Sequence, residues 1–351
     1  MNLSIPNIRI AGMCACVPSA IEENIDLPVF ASRQEAEKVI ASTGIERHRL
    51  ADEGVTASDL SVKAVERMLQ DLSWLPEEVD CLFYVCTSRD FIVPQTACIL
   101  QDRLGLRHDC FVMDLPLGCS GWIYGMSVIS SMMSHGTFRK GLLIAAETNT
   151  KNRSKLDRTV RPLFGDAATV TALEYAEGAP QMDFMVGVDG SGYQSVWAKY
   201  GGMRYPADAE AVEEKEVEPG VIRKGTDMVV NGMDVFAFAI KQPPRALKEM
   251  ISEFDIDINC IDFLLLHQAN KFIDEKIRKA LKIPAEKVPY CLEDFGNVTS
   301  ASIPLTMVTR CADALASRRC HMLACGFGVG LAWGTMLFDT DSITISELVE
   351  Y

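Results

Sequence analysis

The stretch Met113–Trp122, MDLPLGCSGW, has the pattern of a strand end, a turn of small residues and the start of a helix. A single cysteine, Cys119, lies in that turn between Gly118 and Ser120. The N-terminus of a helix carries unpaired N–H groups and a partial positive charge, which stabilise a thiolate. Such a position can bring the pKa of a cysteine down toward neutrality, so we expect it to favour the Cys119 thiolate, and Cys119 is a candidate nucleophile.

The composition is that of a globular protein with a large core. The chain has 351 residues, of which 48% are hydrophobic and 23% charged. This length predicts two domains or one large double unit. No apolar run approaches the roughly 20 residues that cross a bilayer. The first residues, MNLSIPNIRI, lack the basic start and apolar run of a signal peptide. We expect a cytoplasmic protein.

Most of the 12 cysteines have an ordinary interpretation. No C-x-x-C occurs, and most of the cysteines lie in apolar runs, as buried small hydrophobes do in a reducing compartment. The same interpretation is open for Cys119 until other residues support a reactive role. The net charge of −14 argues against nucleic acid and anionic membranes as partners.

Two parts of the chain share one order of elements. In the first part Asp80 precedes the apolar strand CLFYVCTS (81–88), the helix TACILQDRLG (96–105) and the second strand CFVMDL (110–115). The Cys119 turn, a helix at residues 121–135 and the third strand KGLLIAAE (140–147) follow. In the second part Asp262 precedes the corresponding series, at FLLLHQA (263–269), NKFIDEKIRKALK (270–282), extended VPYCLEDF (288–295), the GN turn, PLTMVTRCADALA (304–316) and HMLACGFG (321–328).

Short apolar strands that alternate with amphipathic helices predict an α/β chain with parallel strands, built from two similar halves. We place the halves at residues 1–178 and 179–351. Cys119 follows Asp80 by 39 positions and Asn297 follows Asp262 by 35. If the halves pack about a pseudo-two-fold axis, the turns at Cys119 and Asn297 face each other, with His267 nearby.

Each of the other candidate residues also has a structural interpretation. His267, in HQAN at a strand end, could be a satisfied structural histidine, and Asn297, in FGNVTSASIP, could cap a helix. Asp166, in LFGDAAT, is most simply a turn residue. The glycine-rich CGFGVGLAWG (325–334) lies between two strands, so it lacks the strand-to-helix setting of a phosphate loop.

Together, the Cys119 turn, HQAN and the GN…S.P pattern of Asn297 resemble the β-ketoacyl-acyl-carrier-protein synthases III, condensing enzymes of the thiolase fold. The resemblance extends from STGIERHRL (42–50) to the final glycine loop. It implies a five-layered α-β-α-β-α fold and a Cys-His-Asn site in a homodimer. It also implies acyl-CoA and acyl carrier protein as substrates, with no metal or other cofactor.

The resemblance implies a role for each site residue. Cys119 would attack an acyl-CoA primer and hold the acyl group, while the N–H groups of Cys119 and Val329 form the oxyanion hole. His267 and Asn297 would donate hydrogen bonds to the malonyl thioester oxygen during decarboxylation. Phe327 would lie against the malonyl group.

The sequence departs from the family at positions that concern the substrates. Arg158 matches an arginine that flanks the CoA nucleotide, but Lys38 replaces the aromatic residue expected beside it. Phe272 replaces the usual arginine for the carrier protein, with Lys271 next to it. Val93 stands where a residue of the partner subunit caps the acyl pocket, often as a larger aromatic. The primer, and its delivery by CoA or by a carrier protein, stay open.

Three other functions compete with condensation. An acyltransferase of the same fold could pass the acyl group to an amine or alcohol, although a carboxylate would suit that better than Asn297. A non-catalytic partner subunit would be expected to lack Cys119 or His267. A cysteine hydrolase would need a path for water. The acidic segment 200–225 is either a solvated loop, or a lid or wall of the acyl pocket.

Overall fold

The computed structural model describes residues 1–351, and two β-sheets organise it. The strands of the first 190 residues are β1 (Asn2–Ile5), β2 (Ile8–Val17), β3 (Ile21–Glu23), β4 (Arg47–Arg49), β5 (Cys81–Val85), β6 (Phe111–Leu115), β7 (Lys140–Thr148), β8 (Asp166–Tyr175) and β9 (Met182–Val188). The later strands are β10 (Val196–Trp197), β11 (Lys215–Glu218), β12 (Val221–Arg223), β13 (Val229–Val230), β14 (Phe263–Leu266), β15 (Cys320–Gly328), β16 (Ala332–Thr340), β17 (Thr344–Ile345) and β18 (Val349–Glu350).

The helices form three layers around these sheets. They are α1 (Arg33–Thr43), α2 (Ala57–Leu72), α3 (Thr96–Arg103), α4 (Gly121–Met133), α5 (Gly232–Ala239), α6 (Gln242–Glu253), α7 (Lys271–Leu281), α8 (Leu292–Phe295), α9 (Ser302–Arg310) and α10 (Ala312–Ser317). α2 and α3 cover the outer face of one sheet, α6 and α7 cover the other, and α4 and α9 contact both sheets. The predicted five-layered α-β-α-β-α fold is confirmed.

The prediction of parallel strands is correct for only part of each sheet. The first sheet has the order β17-β2-β8-β7-β5-β6, with β18 also on β2, and the second has the order β1-β9-β16-β15-β14. β5 is parallel to β6 and β7, and β14 is parallel to β15, whereas β8 and β16 are antiparallel to both of their neighbours. A parallel pair needs a crossover connection, and β15 is joined to β16 by only a short turn, which reverses the chain.

The prediction that VPYCLEDF is an extended segment is wrong. Its last four residues, Leu292–Phe295, form α8, and the second sheet ends at β14. The Gln268 side-chain oxygen accepts from the N–H groups of both Cys291 and Leu292 at 2.9 Å. A side chain thus satisfies backbone donors that a strand would have offered to a sheet neighbour.

The two halves exchange their terminal strands. β1 pairs with β9 in the second sheet, and β17 and β18 pair with β2 in the first. The division at residues 178 and 179 stays a prediction, and these exchanges tie the two halves together. No helix combines the length and the apolar character needed to span a membrane.

The central helix α4 is buried on nearly all sides, at nine of its 13 residues. It fits because small residues let strands approach closely. A Cβ atom at Gly121 would lie 2.4 Å from the Val85 side chain, and one at Gly125 would lie 2.7 Å from that of Leu143. The sheet therefore fixes the position of the helix whose N-terminus follows Cys119.

Candidate active site

The Cys119 turn (residues 116–120) joins β6 to α4 and leaves the thiol half-buried. The Gly121 N–H donates to the Gly118 carbonyl at 2.7 Å and closes the turn. Across from it, the end of β15 lies so close that a Cβ atom at Gly328 would come 2.7 Å from the Cys119 sulfur. Glycine at position 328 thus leaves the sulfur free of side-chain cover.

Two backbone N–H groups converge on this thiol. Hydrogen bonds from the N–H of Val329 and from the N–H of Cys119 itself lower the pKa of the thiol. These are the two groups that the sequence analysis assigned to an oxyanion hole. An oxygen bound to a carbon attached to the sulfur would lie within reach of the same donors.

The expectation that the helix terminus favours the Cys119 thiolate is wrong. Burial raises the pKa of the thiol to about 11 and outweighs the Val329 N–H and the positive charge of Arg153, which lower it. The cause is that the opposite half of the fold removes water from the helix terminus, and desolvation disfavours the thiolate. The resting form of Cys119 is therefore the thiol.

The other cysteines are free thiols, and most of them are buried, as expected. Nine are buried, whereas Cys98 and Cys260 are exposed. Exposure alone thus makes two further thiols accessible to reagents. Only Cys119 combines access with converging N–H donors at a helix terminus.

His267 follows β14 directly and is buried. Its Nδ1 lies 2.9 Å from Ser302 Oγ and 3.2 Å from the Thr299 carbonyl oxygen, while no protein atom bonds its Nε2. The ring meets Phe327 edge-on, with centroids 5.4 Å apart. Burial lowers the pKa of His267 to about 4, so the ring is neutral at neutral pH.

Asn297 lies in the turn of residues 296–299, here called the Asn297 turn. Its backbone N–H donates to the Leu163 carbonyl at 2.7 Å, and its carbonyl accepts from the Gly165 N–H at 3.3 Å. Its side-chain oxygen accepts from the Thr299 N–H at 2.9 Å, which directs the amide NH₂ away from Thr299. No protein acceptor takes a hydrogen bond from that NH₂.

Thr299 connects the two polar residues, a role the sequence analysis missed. Its N–H donates to the Asn297 side-chain oxygen, and its carbonyl oxygen lies 3.2 Å from His267 Nδ1. Its φ is 48°, in the left-handed region that a β-branched residue rarely adopts. The strain occurs at the one residue whose N–H and carbonyl contact both side chains, and the sequence carries no pattern for it.

Asp166 is structural, as expected, although it begins strand β8 and does not lie in a turn. Its carboxylate is buried and accepts from the Ala51 N–H and from the N–H and hydroxyl of Thr150. These bonds fix the segment of Leu163 and Gly165, against which the Asn297 turn is held.

Arg158 lies against the helix that carries Lys38. Arg158 Nη1 lies 3.4 Å from Glu35 in α1, and Lys38 is an exposed residue one turn further along.

The acidic segment 200–225 is largely exposed, and its β11–β12 hairpin is anchored by the Ile222 carbonyl, which accepts from Ser154. A Cβ atom at Gly220 would lie 3.5 Å from Arg158. The segment is thus a solvated hairpin whose tip lies beside the predicted CoA residue.

The remaining predicted binding residues lie at the surface. Lys271 Nζ lies 2.6 Å from Glu293, which neutralises its charge locally. Its neighbour Phe272 is half-exposed and stacks on Phe236 with ring centroids 5.8 Å apart. Val93 is 79% exposed in a loop remote from its own chain's core.

Comparisons with known proteins identify the family of the chain. Family models described as 3-oxoacyl-[acyl-carrier-protein] synthase III and as the C terminal of the same enzyme match residues 113–190 and 251–340. A β-ketoacyl-[acyl-carrier-protein] synthase III from Caldanaerobacter subterraneus subsp. tengcongensis is 32% identical over 327 residues, which cover 93% of this chain and 96% of the relative.

Solved structures give the same result. A 3-oxoacyl-(acyl-carrier protein) synthase from Burkholderia xenovorans superposes with a TM-score of 0.93 at 31% identity, covering 100% of this chain and 99% of that one. A second crystal structure, of a 3-oxoacyl-(acyl-carrier-protein) synthase III, has a TM-score of 0.89 at 34% identity, covering 95% and 99%. The chain belongs to the 3-oxoacyl-[acyl-carrier-protein] synthase III family of condensing acyltransferases.

Proposed function

We propose that this enzyme condenses an acyl-thioester primer with malonyl-acyl carrier protein and releases CoA and CO₂. In the first half-reaction the Cys119 sulfur forms a bond to the acyl carbon, the bond from that carbon to the CoA sulfur breaks, and the thiol proton passes to CoA. In the second, malonyl carrier protein loses CO₂, its enolate carbon attacks the acyl carbon, and the Cys119–acyl bond breaks. The product is a 3-oxoacyl carrier protein.

The observation that carries this proposal is the arrangement of unpaired donors around one accessible thiol. The N–H groups of Cys119 and Val329 serve the acyl oxygen during loading. His267 Nε2 and the Asn297 NH₂, both without protein partners, serve the malonyl oxygen during decarboxylation. Phe327 holds the His267 ring from its edge and lies against the malonyl group.

The donor role of His267 sets a requirement on its tautomer. A neutral ring carries one proton, so Nε2 donates only if Nδ1 accepts. The Ser302 hydroxyl lies 2.9 Å from Nδ1 and 2.9 Å from the Thr299 carbonyl oxygen, and it keeps Nδ1 an acceptor when its one proton is directed at the ring. We assign Ser302 as the positioning residue that keeps the proton on Nε2, as outer partners of imidazoles do elsewhere.

The substrate-binding residues also divide between the two half-reactions, since some bind CoA and others the carrier protein. Arg158 and Lys38 flank the CoA nucleotide, and Lys271 faces the phosphopantetheine arm of the carrier protein. The exposed apolar run Phe91–Val93 is the natural place for a contact between two copies, so we propose a homodimer in which Val93 caps the partner's acyl pocket. The reaction uses no metal or redox cofactor, and its setting is the cytoplasm.

Transfer of the acyl group to an amine or alcohol is the weaker function. It needs a base to remove a proton from the acceptor, and Asn297 offers a donor where that base would stand. The relatives named above are synthases, which favours condensation over simple transfer.

Intact mass tests the nucleophile directly. After incubation with acyl-CoA the protein should gain one acyl group, and Cys119→Ser should gain none. Cys98→Ser and Cys260→Ser are matched controls, because these exposed thiols lack the converging donors and their replacement should leave acylation unchanged. Acylation that persists in Cys119→Ser would refute the assignment.

A further inference from the structure

Arg153 is a buried cation without an anionic partner. Arg153 is 6% exposed, yet its guanidinium bonds no carboxylate. Burial lowers the pKa of Arg153 to about 10, which still leaves it charged at neutral pH. Buried charges in proteins are as a rule paired, because an isolated charge is costly to remove from water.

Oxygen acceptors contact the guanidinium of Arg153 only at Nη1. Nη1 donates to the Asn149 carbonyl and side-chain oxygens at 2.9 Å and to Asn152 at 2.7 Å. The plane stacks 3.6 Å from the centre of the Phe164 ring. Nη2 contacts only the Met228 sulfur, a weak acceptor, and Nε has no partner. Nη2 and Nε form an edge that suits a carboxylate in bidentate geometry.

The nearby carboxylates are committed elsewhere. Glu147 is fully buried and accepts from the N–H groups and hydroxyls of both Thr87 and Ser88. Asp166 is held by Ala51 and Thr150. Both attract Arg153 at longer range, but neither bonds it. The free edge of Arg153 is therefore left for a group from outside the chain.

Arg153 lies next to the reacting centre. Its partner Asn149 is 3.4 Å from the Thr299 hydroxyl, and Thr299 holds His267 and Asn297. The charge of Arg153 also acts on the Cys119 thiol. A chain attached to Cys119 thus starts close to the cation.

We propose that Arg153 binds the far end of the primer, and that this enzyme prefers acyl chains that end in a carboxylate. This inference rests on the proposed acylation of Cys119 and specifies its substrate class. The thioester exchange is unchanged, and the terminal carboxylate accepts from Nε and Nη2. A neutral chain would leave the cation buried and unpaired, so the preference follows from the cost of that state.

Met228 gives the carboxylate a way in. A cavity of only about 10 Å³, lined by residues that include Arg153 and Phe164, adjoins the guanidinium. The Met228 side chain covers Nη2, and methionine is unbranched with three rotatable bonds. In the proposed complex this side chain rotates away from Nη2 and leaves that nitrogen to the carboxylate.

The rate of Cys119 acylation, followed by intact mass, tests the proposal on the parent protein. Succinyl-, glutaryl- and adipyl-CoA are compared with butyryl-, valeryl- and hexanoyl-CoA, which match them in chain length. At the fitting length, the carboxylate chain should load about 10- to 100-fold faster than its neutral counterpart. Equal or faster loading of the neutral chain at every length would overturn the proposal.

Two variants separate binding from a structural role. Arg153→Met should lower the ratio of carboxylate to neutral loading by about 10- to 100-fold, and Arg153→Lys should retain part of that ratio. Arg161→Met is the matched control, because Arg161 lines the same cavity but is paired with Glu22, and its ratio should match the parent's. An equal loss for both series in Arg153→Met would overturn the proposal. Failure of every thioester to acylate Cys119 would instead refute the proposed function, and this inference with it.

Discussion

The Cys119 turn and the Asn297 turn each lead into a helix, yet they offer opposite chemistry. The first exposes a nucleophilic atom and surrounds it with backbone N–H groups. The second exposes side-chain donors, from Asn297 and its neighbour His267, and holds both through Thr299. In the proposed reaction, a turn that leads into a helix thus provides loading in one half and stabilisation of the enolate in the other. The two half-reactions should therefore respond to different changes.

The largest expected effect separates the two turns. His267→Ala and Asn297→Ala should each lower CO₂ release from malonyl carrier protein by about 100- to 1,000-fold, since each removes one donor to the developing charge. Both should still acylate Cys119. Asn297→Asp should release even less CO₂ than Asn297→Ala, because a carboxylate repels the enolate.

The assay pairs acyl-enzyme mass with CO₂ release from labelled malonyl carrier protein. Normal decarboxylation by Asn297→Asp would remove the enolate role from the second turn and favour simple acyl transfer. Loss of loading in all three variants would show that the two turns do not divide the reaction.

The second effect is a difference in pH dependence. Burial raises the pKa of Cys119 to about 11, so the thiolate fraction rises about tenfold per pH unit below that value. Burial lowers the pKa of His267 to about 4, so its neutral form is complete well below pH 6. Alkylation of Cys119 by iodoacetamide should therefore rise about 100-fold from pH 7 to 9.

Over the same range, CO₂ release by preloaded acyl-enzyme should not change through His267. Cys119→Ser supplies the background for the alkylation, because Cys98 and Cys260 are also exposed. A plateau of Cys119 alkylation near pH 7 would show that the helix terminus prevails over burial after all.

The comparison also shows what a sequence can reveal. The short apolar runs correctly placed β5, β7, β14 and β15, because buried strands leave a local signal. VPYCLEDF carries a similar signal, but Gln268, 20 residues earlier, takes its N–H groups. The Cys119 pKa depends in the same way on a strand some 200 residues distant. Long-range contacts determine both the conformation of VPYCLEDF and the pKa of Cys119, and no local sequence pattern reveals such contacts.

The candidate site divides in the same way. Cys119, His267 and Asn297 lie in recognisable turns, so the sequence singles them out. Thr299, Ser302 and Arg153 act through backbone strain, hydroxyl placement and an unpaired charge, which only the packed fold reveals.

A smaller effect is expected at Ser302, which contacts the donor His267 and not the substrate. Ser302→Ala removes the hydroxyl that faces Nδ1, so the single ring proton can move from Nε2 to Nδ1, where it bonds the Thr299 carbonyl. CO₂ release should fall about 10- to 100-fold, as it does when outer partners of an imidazole are lost. Acyl loading should be unaffected.

Ser300→Ala is the matched control for that variant. Ser300 is buried close by, and its hydroxyl has no hydrogen-bond partner. Its removal tests the packing of the segment without touching His267. Equal losses in the two serine variants would assign Ser302 a packing role.

The smallest effect concerns the entrance to the Cys119 turn. Lys38 is exposed on α1, one turn from Glu35, which contacts Arg158. An aromatic side chain at this position could stack on an adenine, and such stacking contributes roughly 1–3 kcal/mol. Because Lys38 is at the surface, we expect the low end of that range of stacking energies, so Lys38→Trp should lower KM for the acyl-CoA primer about three- to tenfold.

Lys38→Leu controls for the loss of the charge without an aromatic ring. The second half-reaction does not use CoA, so KM for malonyl carrier protein should stay the same in both variants. If Lys38→Trp instead changed KM for malonyl carrier protein and left the primer unaffected, Lys38 would belong to the carrier-protein surface, and the primer would reach Cys119 by another route.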